Sequence, residues 1–175
     1  MENKQKRKRE DEITTNKKIK TNVQIIYCDG GCIGNGTEKA IAGVGIWFGD
    51  NDDKNLSCGI PGKQTNNTAE LYSILYALRI MNGINITQSV EIITDSKYSI
   101  DCLTVWCKNW IKNGWKNAKK NPVENKELIQ EILATIKKRD SYKATTKFTH
   151  VKGHCGIYGN EEADKLASKF INKIG

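Results

Sequence analysis

The sequence predicts an α/β fold in which one mixed β-sheet carries helices on its faces. Three short β-type runs come first, and segments of helical periodicity then alternate with further β-type runs. This order favours a sheet that begins as an antiparallel meander and continues by alternating strands and helices. The length of 175 residues suits a single domain with a substantial core.

The first half supplies the meander and one helix. The runs VQIIYC, AGVGIWFG and NLSCGI begin at Val23, Ala42 and Asn55, and turns rich in Gly and Asn separate them. This pattern is typical of antiparallel strands joined by short loops. A helix is predicted next, because apolar residues recur at helical spacing. These residues are Leu71, Ile74, Leu75 and Leu78.

The second half alternates strands and helices. VEIIT at 90–94 predicts a strand, a helix is predicted near 125–138, and a further strand is predicted near KFTHV at 147–151. A final helix is predicted from about Asn160. Its expected buried stripe consists of Ala163, Leu166, Ala167, Phe170 and Ile174.

Residues 1–22 differ in composition from the rest of the chain. They contain eight Lys and Arg, four acidic residues and little apolar surface. We therefore expect a disordered basic tail ahead of a folded domain at 23–175. The clusters KRKR and KKIK resemble a two-part nuclear localisation signal. A basic arm that contacts phosphates, or a solvated segment with neither role, fits the same composition.

Charge and hydropathy exclude some classes of protein. No stretch approaches 18 apolar residues and the N-terminus is charged, which predicts neither a membrane span nor a secretory leader. We expect an intracellular protein, nuclear if the tail acts as an address and cytoplasmic otherwise. The net charge of +8 favours a polyanionic partner, of which nucleic acid is the commonest.

Residues 104–121 combine five lysines with three of the four tryptophans and contain no acidic residue. Basic charge interleaved with flat aromatic side chains suits a nucleic-acid backbone. Trp106 and Trp110 are four residues apart and would share one face of a helix. The alternative places the tryptophans in the core and the lysines on a solvated face.

Six cysteines occur at 28, 32, 58, 102, 107 and 155. Their spacing matches no metal motif, so we interpret them as reduced and mostly buried thiols. A redox role for Cys28 and Cys32 is left open. The alternative is a zinc site that joins these two cysteines to His150 and His154.

Four acidic residues lie near the ends of predicted elements. Asp29 is expected to end the first strand ahead of GGCIGNG, which would turn the chain sharply, and Asp95 ends VEIIT. Glu70 lies in the first turn of a helix, and Asp164 lies at the edge of the final helix's stripe. Each acid has an ordinary alternative: a cap or turn for Asp29 and Asp95, and a capping box with Asn67 for Glu70.

Carboxylates repel phosphate, so four of them in a chain that suits a polyanion need an explanation. Divalent cations provide one, because hard oxygen ligands hold Mg²⁺ and two ions roughly 3.5–4 Å apart bracket a scissile phosphate. The residues alone do not establish that the four acids converge.

Four segments resemble the successive motifs of type 1 ribonuclease H, in family order and with comparable spacing. They are YCDGGCIGNG, QTNNTAELYSILYAL, ITDSKYS and THVKGHCGIYGNEEADKLA. The resemblance covers about residues 23–172 and implies the ribonuclease H-like fold, a five-stranded mixed sheet flanked by helices. It also implies an endonuclease that hydrolyses the RNA strand of RNA–DNA hybrids and leaves 5′-phosphate and 3′-hydroxyl ends.

By this resemblance the catalytic acids are Asp29, Glu70, Asp95 and Asp164, and His154 is a mobile-loop histidine. Two Mg²⁺ ions, or Mn²⁺ in their place, would bind in the active site of a monomer. We expect Asp29 to bridge both ions and Asp164 to complete the water-activating site. Glu70 and Asp95 would hold the ion at the leaving 3′-oxygen. His154 would shuttle protons or assist product release.

The family's contacts to the hybrid map onto further positions. Contacts to RNA 2′-hydroxyls fall on Asn35, Asn66 and Asn67. A phosphate pocket for the DNA strand falls on Lys63, Thr65 and Asn125. An aromatic channel for the same strand falls on Tyr98, Trp106 and Trp110. Lys63 and Tyr98 replace the Arg and Phe of eukaryotic members, and a lysine grips phosphate without a bidentate fork.

Other classes of protein compete with this hypothesis. A reverse transcriptase module or an integrase-like nuclease shares the fold, but a free-standing chain with a basic protrusion favours a cellular or viral type 1 enzyme. An inactive hybrid-binding protein would have lost acids, and all four are present. A zinc or thiol-redox protein is the most distant alternative. Trp115 is interpreted as a packing residue.

Overall fold

Five strands form one mixed sheet in the computed structural model, which describes residues 23–175. The predicted tail at 1–22 lies outside the described residues. The strands are β1 (Gln24–Ile33), β2 (Ile41–Trp47), β3 (Leu56–Gly59), β4 (Val90–Thr94) and β5 (Thr146–His150). Their spatial order is β3-β2-β1-β4-β5. The predicted five-stranded mixed sheet is confirmed.

The central strand β1 joins two halves of the sheet. On one side β1, β2 and β3 form the predicted antiparallel meander. On the other side β4 runs parallel to both β1 and β5. Pairing of β1 with β4 extends only to Tyr27, whereas its pairing with β2 continues to Ile33. No other strand of residues 23–175 therefore pairs with the β4 side of β1 over the second half of the strand.

The prediction that Asp29 ends the first strand is wrong. The strand continues through Gly30 and Gly31, which pair with β2 instead of turning the chain. Packing explains the glycine at position 30, because a Cβ there would lie 2.2 Å from the backbone nitrogen of Glu70. The turn comes later and includes Gly34, whose φ is +62°, a conformation that glycine adopts at little cost.

Helices follow the strands in the predicted order. They are α1 (Asn66–Asn85), α2 (Lys97–Asp101), a π-helical segment (Cys102–Trp106), α3 (Cys107–Lys112), α4 (Lys126–Ser141) and α5 (Tyr158–Ile174). The helices predicted near 125–138 and from about Asn160 are confirmed as α4 and α5. The segments from α2 to α3 follow one another without a break, and the π-helical turn between them was not predicted.

The main core lies between the sheet and helices α1 and α4. It includes Ile26, Ile46, Leu75 and Ile129, all fully buried. The opposite face of the sheet is covered by α5, which packs against β1, β2 and β3.

Glycine in the sheet sets the distance to α5. A Cβ on Gly45 would lie 1.9 Å from the carbonyl oxygen of Ala163, so the helix backbone rests directly on β2. Ala163, Ala167 and Ile171 form the buried stripe of α5. The prediction that Ile174 belongs to this stripe is wrong, because this last residue of the helix is 58% exposed.

Within residues 23–175 no helix combines the length and apolar character needed to cross a membrane.

Candidate active site

Asp29 lies on the α5 face of β1. Its neighbour Gly30 faces α1, and side chains alternate between the faces of a strand. The carboxylate is 7% exposed, and its Oδ1 accepts a hydrogen bond of 2.8 Å from the Gly30 amide. Because Asp29 is a strand residue, the alternatives of a cap and a turn are both wrong for it.

Glu70 reaches the site from α1, on the other face of the sheet. The side chain of Thr65 caps this helix by accepting a hydrogen bond from the Thr68 amide, so the alternative capping box of Asn67 and Glu70 is wrong. Glu70 is 5% exposed, and its Oε2 has no hydrogen-bond partner among the described residues. A buried carboxylate oxygen without a donor is costly unless a ligand satisfies it.

Asp95 follows β4, at the carboxyl end of a parallel strand. Ser96 caps α2 by accepting a hydrogen bond from the Ser99 amide, so Asp95 is not the cap. Asn160 on α5 donates from Nδ2 to Asp95 Oδ2 at 3.2 Å. A Cβ on Gly153 would lie 2.4 Å from the same oxygen. Two neighbouring segments therefore hold this carboxylate in place.

Three of the four predicted acids converge closely. Asp29, Glu70 and Asp95 each offer a carboxylate oxygen, and these oxygens lie within 4.8 Å of one another. Asp164 on α5 lines the same cavity of about 400 Å³ but stands outside this closest set. The cavity is also lined by Asn66, Lys97, Tyr98 and His154.

Burial, together with the nearby carboxylates, raises the pKa values of Asp29 and Glu70. Burial raises the pKa of Asp29 to about 7, and repulsion from Asp95 adds to the shift. Burial, with repulsion from Asp29 and Asp95, raises the pKa of Glu70 well above its usual range. A divalent cation would relieve the repulsion, and carboxylate oxygens are the ligands that Mg²⁺ and Mn²⁺ prefer. The donor set fits a divalent cation.

The zinc alternative is wrong. Among residues 23–175 the carboxylate set is the one group of His, Cys, Asp or Glu side chains close enough to share an ion. Cys28 is fully buried in the core, where burial and the nearby acids hold the pKa of its thiol far above the usual range. His150 instead places its Nε2 3.1 Å from the carbonyl oxygen of Asp95. All six cysteines are free thiols.

His154 borders the cavity from the exposed loop between β5 and α5. Its φ of +53° is uncommon for a residue other than glycine. Hydrogen bonds anchor the loop at both ends. The Val151 amide donates to the Thr94 carbonyl at 3.0 Å, and the Gly156 amide donates to a carboxylate oxygen of Glu161 at 3.0 Å. His154 thus lies in the loop between two backbone positions that are anchored by hydrogen bonds.

The asparagines predicted to contact RNA divide into a pair and a single residue. Asn66 lines the cavity, and its backbone amide donates to Asn35 Oδ1 at 3.4 Å. Asn67 is exposed in the first turn of α1. Gln64 ties this region to the sheet, because its Oε1 accepts a hydrogen bond from the Ala42 amide at 2.9 Å. The pair of Asn35 and Asn66 therefore lies beside the carboxylates.

Side chains predicted for the phosphate pocket are connected by hydrogen bonds. Thr65 Oγ1 lies 2.6 Å from Thr68 Oγ1, which donates to Asn125 Oδ1 at 3.3 Å. Asn125 Nδ2 in turn donates to the Tyr98 hydroxyl at 3.2 Å. Lys63 is exposed at the edge of this group. The start of α1, the start of α4 and α2 thus meet at one place.

The predicted aromatic channel is a row of rings. Tyr98 and Trp106 have their centroids 6.1 Å apart, and Trp106 and Trp110 have theirs 5.8 Å apart. Trp115 extends the row and packs against the core with Tyr98 and Trp110, as its interpretation as a packing residue predicts. Trp106 is 39% exposed. The lysines of the segment are all exposed: Lys108, Lys112, Lys116, Lys119 and Lys120.

Comparison with known proteins identifies the family of this chain, because the RNase H family model matches residues 21–172. The chain belongs to the RNase H family. Ribonuclease H of Schizosaccharomyces pombe is 39% identical over 147 residues, which are 83% of this chain and 52% of that protein. This chain spans about half the length of the yeast and mammalian relatives that it matches.

Shorter relatives and solved RNase H structures are similar over most of their length. Ribonuclease H of Ruthia magnifica subsp. Calyptogena magnifica is 40% identical over 86% of this chain and 96% of that protein. The structure of LC11-RNase H1 in complex with RNA/DNA hybrid has a TM-score of 0.59 at 26% identity, covering 86% of this chain and 97% of that one. The type 1 assignment is confirmed.

Sequence reasoning missed two side chains of this RNase H site. Asn160 is 2% exposed and donates a hydrogen bond to Asp95. It could have been found from the sequence, because a polar residue at helical spacing with the buried Ala163 and Ala167 indicates a buried side chain that needs a hydrogen-bond partner. Glu124, which forms an ion pair with Lys63, has no comparable signal, because its partner lies in a distant part of the sequence.

Proposed function

We propose that this RNase H-family chain is an endonuclease that hydrolyses the RNA strand of RNA–DNA hybrids. The observation that carries the proposal is the convergence of carboxylate oxygens from Asp29, Glu70 and Asp95 within 4.8 Å. Asp164 and His154 line the same cavity. A solved structure of similar fold, LC11-RNase H1, is in complex with RNA/DNA hybrid, which supports the substrate class.

The four acids would hold two divalent cations, Mg²⁺ or Mn²⁺. The unpartnered, buried Oε2 of Glu70 supports this assignment. Asp29 interacts electrostatically with both Asp95 and Asp164, so it would help to hold the ions together with each of these acids. When bound, the ions supply a Lewis acid for the attacking water and positive charge for the leaving 3′-oxygen. The water oxygen would bond to the phosphorus as the bond to the 3′-oxygen breaks, and a proton would pass to that oxygen, which leaves 5′-phosphate and 3′-hydroxyl ends.

Residues around the acids position the reacting groups. Asn160 and Gly153 keep the Asp95 carboxylate in one orientation, which preorganises the site before substrate arrives. His154 would accept or deliver a proton at the phosphate oxygens, a task that suits an imidazole near neutral pH.

The hybrid would lie across the cavity with its two strands on different contacts. Only RNA presents 2′-hydroxyls, and the amides of Asn35, Asn66 and Asn67 both donate and accept hydrogen bonds. We assign the DNA strand to the phosphate pocket and the aromatic row. Tyr98 belongs to that row and also lines the carboxylate cavity, so one residue connects DNA binding to the site of cleavage.

The test incubates the full chain with an end-labelled RNA–DNA hybrid, beside double-stranded RNA and double-stranded DNA of the same sequence. We expect cleavage of the RNA strand in the hybrid alone, and only with Mg²⁺ or Mn²⁺. The fragments should carry 3′-hydroxyls that a polymerase extends. Cleavage of either control duplex, or of the hybrid in EDTA, would contradict the proposal.

A further inference from the structure

Lys63 and Glu124 form an exposed ion pair at the edge of the proposed phosphate pocket. Lys63 Nζ lies 2.5 Å from Glu124 Oε1, and the side chains are 62% and 65% exposed. Lys63 lies just before the start of α1, and Glu124 directly precedes Asn125 at the start of α4. The pair therefore spans the two segments that form the pocket.

In this ion pair, the Glu124 carboxylate binds the ammonium of Lys63, which is the cationic group of the pocket. Thr65 and Asn125 are neutral hydrogen-bonding side chains, so Lys63 supplies the positive charge among the three residues assigned to phosphate. Glu124 brings a charge of the opposite sign next to Asn125. It is also the first acidic residue in the chain after Asp101, so it interrupts an otherwise basic surface at the pocket itself.

Folding does not account for the pair. Ion pairs between side chains as exposed as these contribute little to stability, because water screens the charges and ordering two long side chains costs entropy. A phosphate that binds Lys63 would stand beside the Glu124 carboxylate, and two anions near one ammonium repel each other. Lysine carries its charge on a flexible stem, so its ammonium can exchange the carboxylate for the phosphate.

We propose that Glu124 weakens hybrid binding by competing with a DNA-strand phosphate for the Lys63 ammonium. The inference rests on the proposed function, because it requires a DNA strand at this pocket. Glu124 acts through Lys63 and does not itself contact the substrate. Glu124 thereby lowers the affinity for the hybrid and makes that affinity less dependent on salt concentration.

The experiment measures hybrid affinity with Glu124→Gln, which removes the charge and retains the size of the side chain. The full chain carries Asp29→Asn so that the hybrid stays intact, and fluorescence anisotropy gives Kd for a labelled RNA–DNA hybrid over a series of salt concentrations. The control is Glu127→Gln, an equal change of charge at an exposed residue in the first turn of α4.

We expect Glu124→Gln to tighten binding about two- to fivefold, the range for release of one exposed ion pair. The slope of log Kd against log salt should steepen by up to about 0.9, the value for one additional phosphate contact. Glu127→Gln should change Kd less than half as much. Equal effects of the two variants, or weaker binding with Glu124→Gln, would overturn the inference.

A double-mutant cycle tests whether the effect passes through Lys63. In a chain that carries Lys63→Ala, Glu124→Gln should tighten hybrid binding no more than the control Glu127→Gln does. A gain that persists without the lysine would overturn the competition. A gain in affinity cannot arise from misfolding, so the readout stays decisive for a marginally stable variant.

Failure of this inference differs from failure of the proposed function. If the wild-type chain binds and cuts the hybrid while Glu124→Gln has no effect beyond its control, only the role of Glu124 is lost. If the wild-type chain neither prefers nor cuts the hybrid, the proposed function itself is contradicted.

Discussion

The carboxylate cavity and the lysine–tryptophan surface of residues 104–121 are assembled in different ways. The cavity gathers Asp29, Glu70 and Asp95 from β1, α1 and the end of β4, and the first two are almost fully buried. The surface comes from one stretch of chain, and its lysines are exposed. Packing over long range therefore positions the acids, whereas local helical spacing positions the aromatic row. Substitutions in the cavity should therefore lower the cleavage rate by large factors. Substitutions on the surface should weaken hybrid binding by small factors that depend on salt concentration.

The steepest effect is expected from Asp29→Asn. The change removes a negative charge from the proposed cation site, and loss of the transition-state stabilisation that the cations would supply should lower single-turnover cleavage by at least roughly 10³-fold. Hybrid binding should survive, because the lost charge repels phosphate. Cleavage assays and fluorescence anisotropy on one preparation measure the loss of cleavage and the retained hybrid binding. Residual activity near that of the wild type would break the comparison.

Gly45→Ala tests the packing that brings α5 and Asp164 to the cavity. A Cβ at this position would lie 1.9 Å from a backbone oxygen of α5, so overpacking should cost about 3 kcal/mol of the free energy of unfolding. Urea unfolding measures this change. Gly83→Ala is the matched control, because a Cβ there meets nothing within 4 Å, and we expect it to stabilise α1 by about 0.5–1 kcal/mol.

His154→Ala should reduce turnover by roughly 10- to 100-fold without abolishing it, because the imidazole would assist proton transfer or product release and is not one of the acids proposed to hold the cations. Steady-state and single-turnover rates together show which step slows. An inactive variant would contradict this expectation, because His154 would then be as essential for cleavage as the acids.

On the surface, Trp106→Ala should weaken hybrid binding by about 5- to 30-fold, the equivalent of roughly 1–2 kcal/mol for one exposed aromatic contact. Cleavage at saturating hybrid should persist. Val105→Ala removes apolar area at an adjoining exposed position and should leave Kd nearly unchanged. If both variants weaken binding equally, the row does not act as a channel for the DNA strand.

The carboxylate cavity should also make the stability of the metal-free protein depend on pH. The pKa of Asp29 is about 7 in the folded chain against an ordinary value of 3.8, and that of Glu70 is raised as well. The folded state holds protons that the unfolded chain has released, so stability should fall as the pH rises from about 4 to about 7. Melting curves in EDTA test this trend, which Asp29→Asn should flatten.

Mg²⁺ should reverse that trend by replacing the protons. Its stabilisation of the fold should be larger at about pH 8 than at about pH 5, because protonated carboxylates bind no metal. Equal shifts in Tm at the two pH values would indicate that the ion binds elsewhere.

Local patterns predicted much of the fold. VEIIT coincides with β4, and the meander, α1 and the final helix all lie where periodicity places them. Predictions were wrong where a local signal competed with a distant partner. The glycines after Asp29 resemble a turn, but β2 continues to pair with them. Gly30 packs against α1, and Gly31 packs against Ile171 of α5. Asn67 is a suitable cap by residue type, yet Thr65, two residues earlier, caps the helix.

The sequence by itself determined the class of the fold, the order of its elements, the family motifs and the four acids. These follow from residue type and spacing, which act over a few positions along the chain. Tertiary structure alone decided that three of the acids converge within 4.8 Å, that Asn160 and Gly153 hold Asp95, and that Glu124 pairs with Lys63. Each of these depends on the distance between segments far apart in the chain, which is set by backbone packing and strand register.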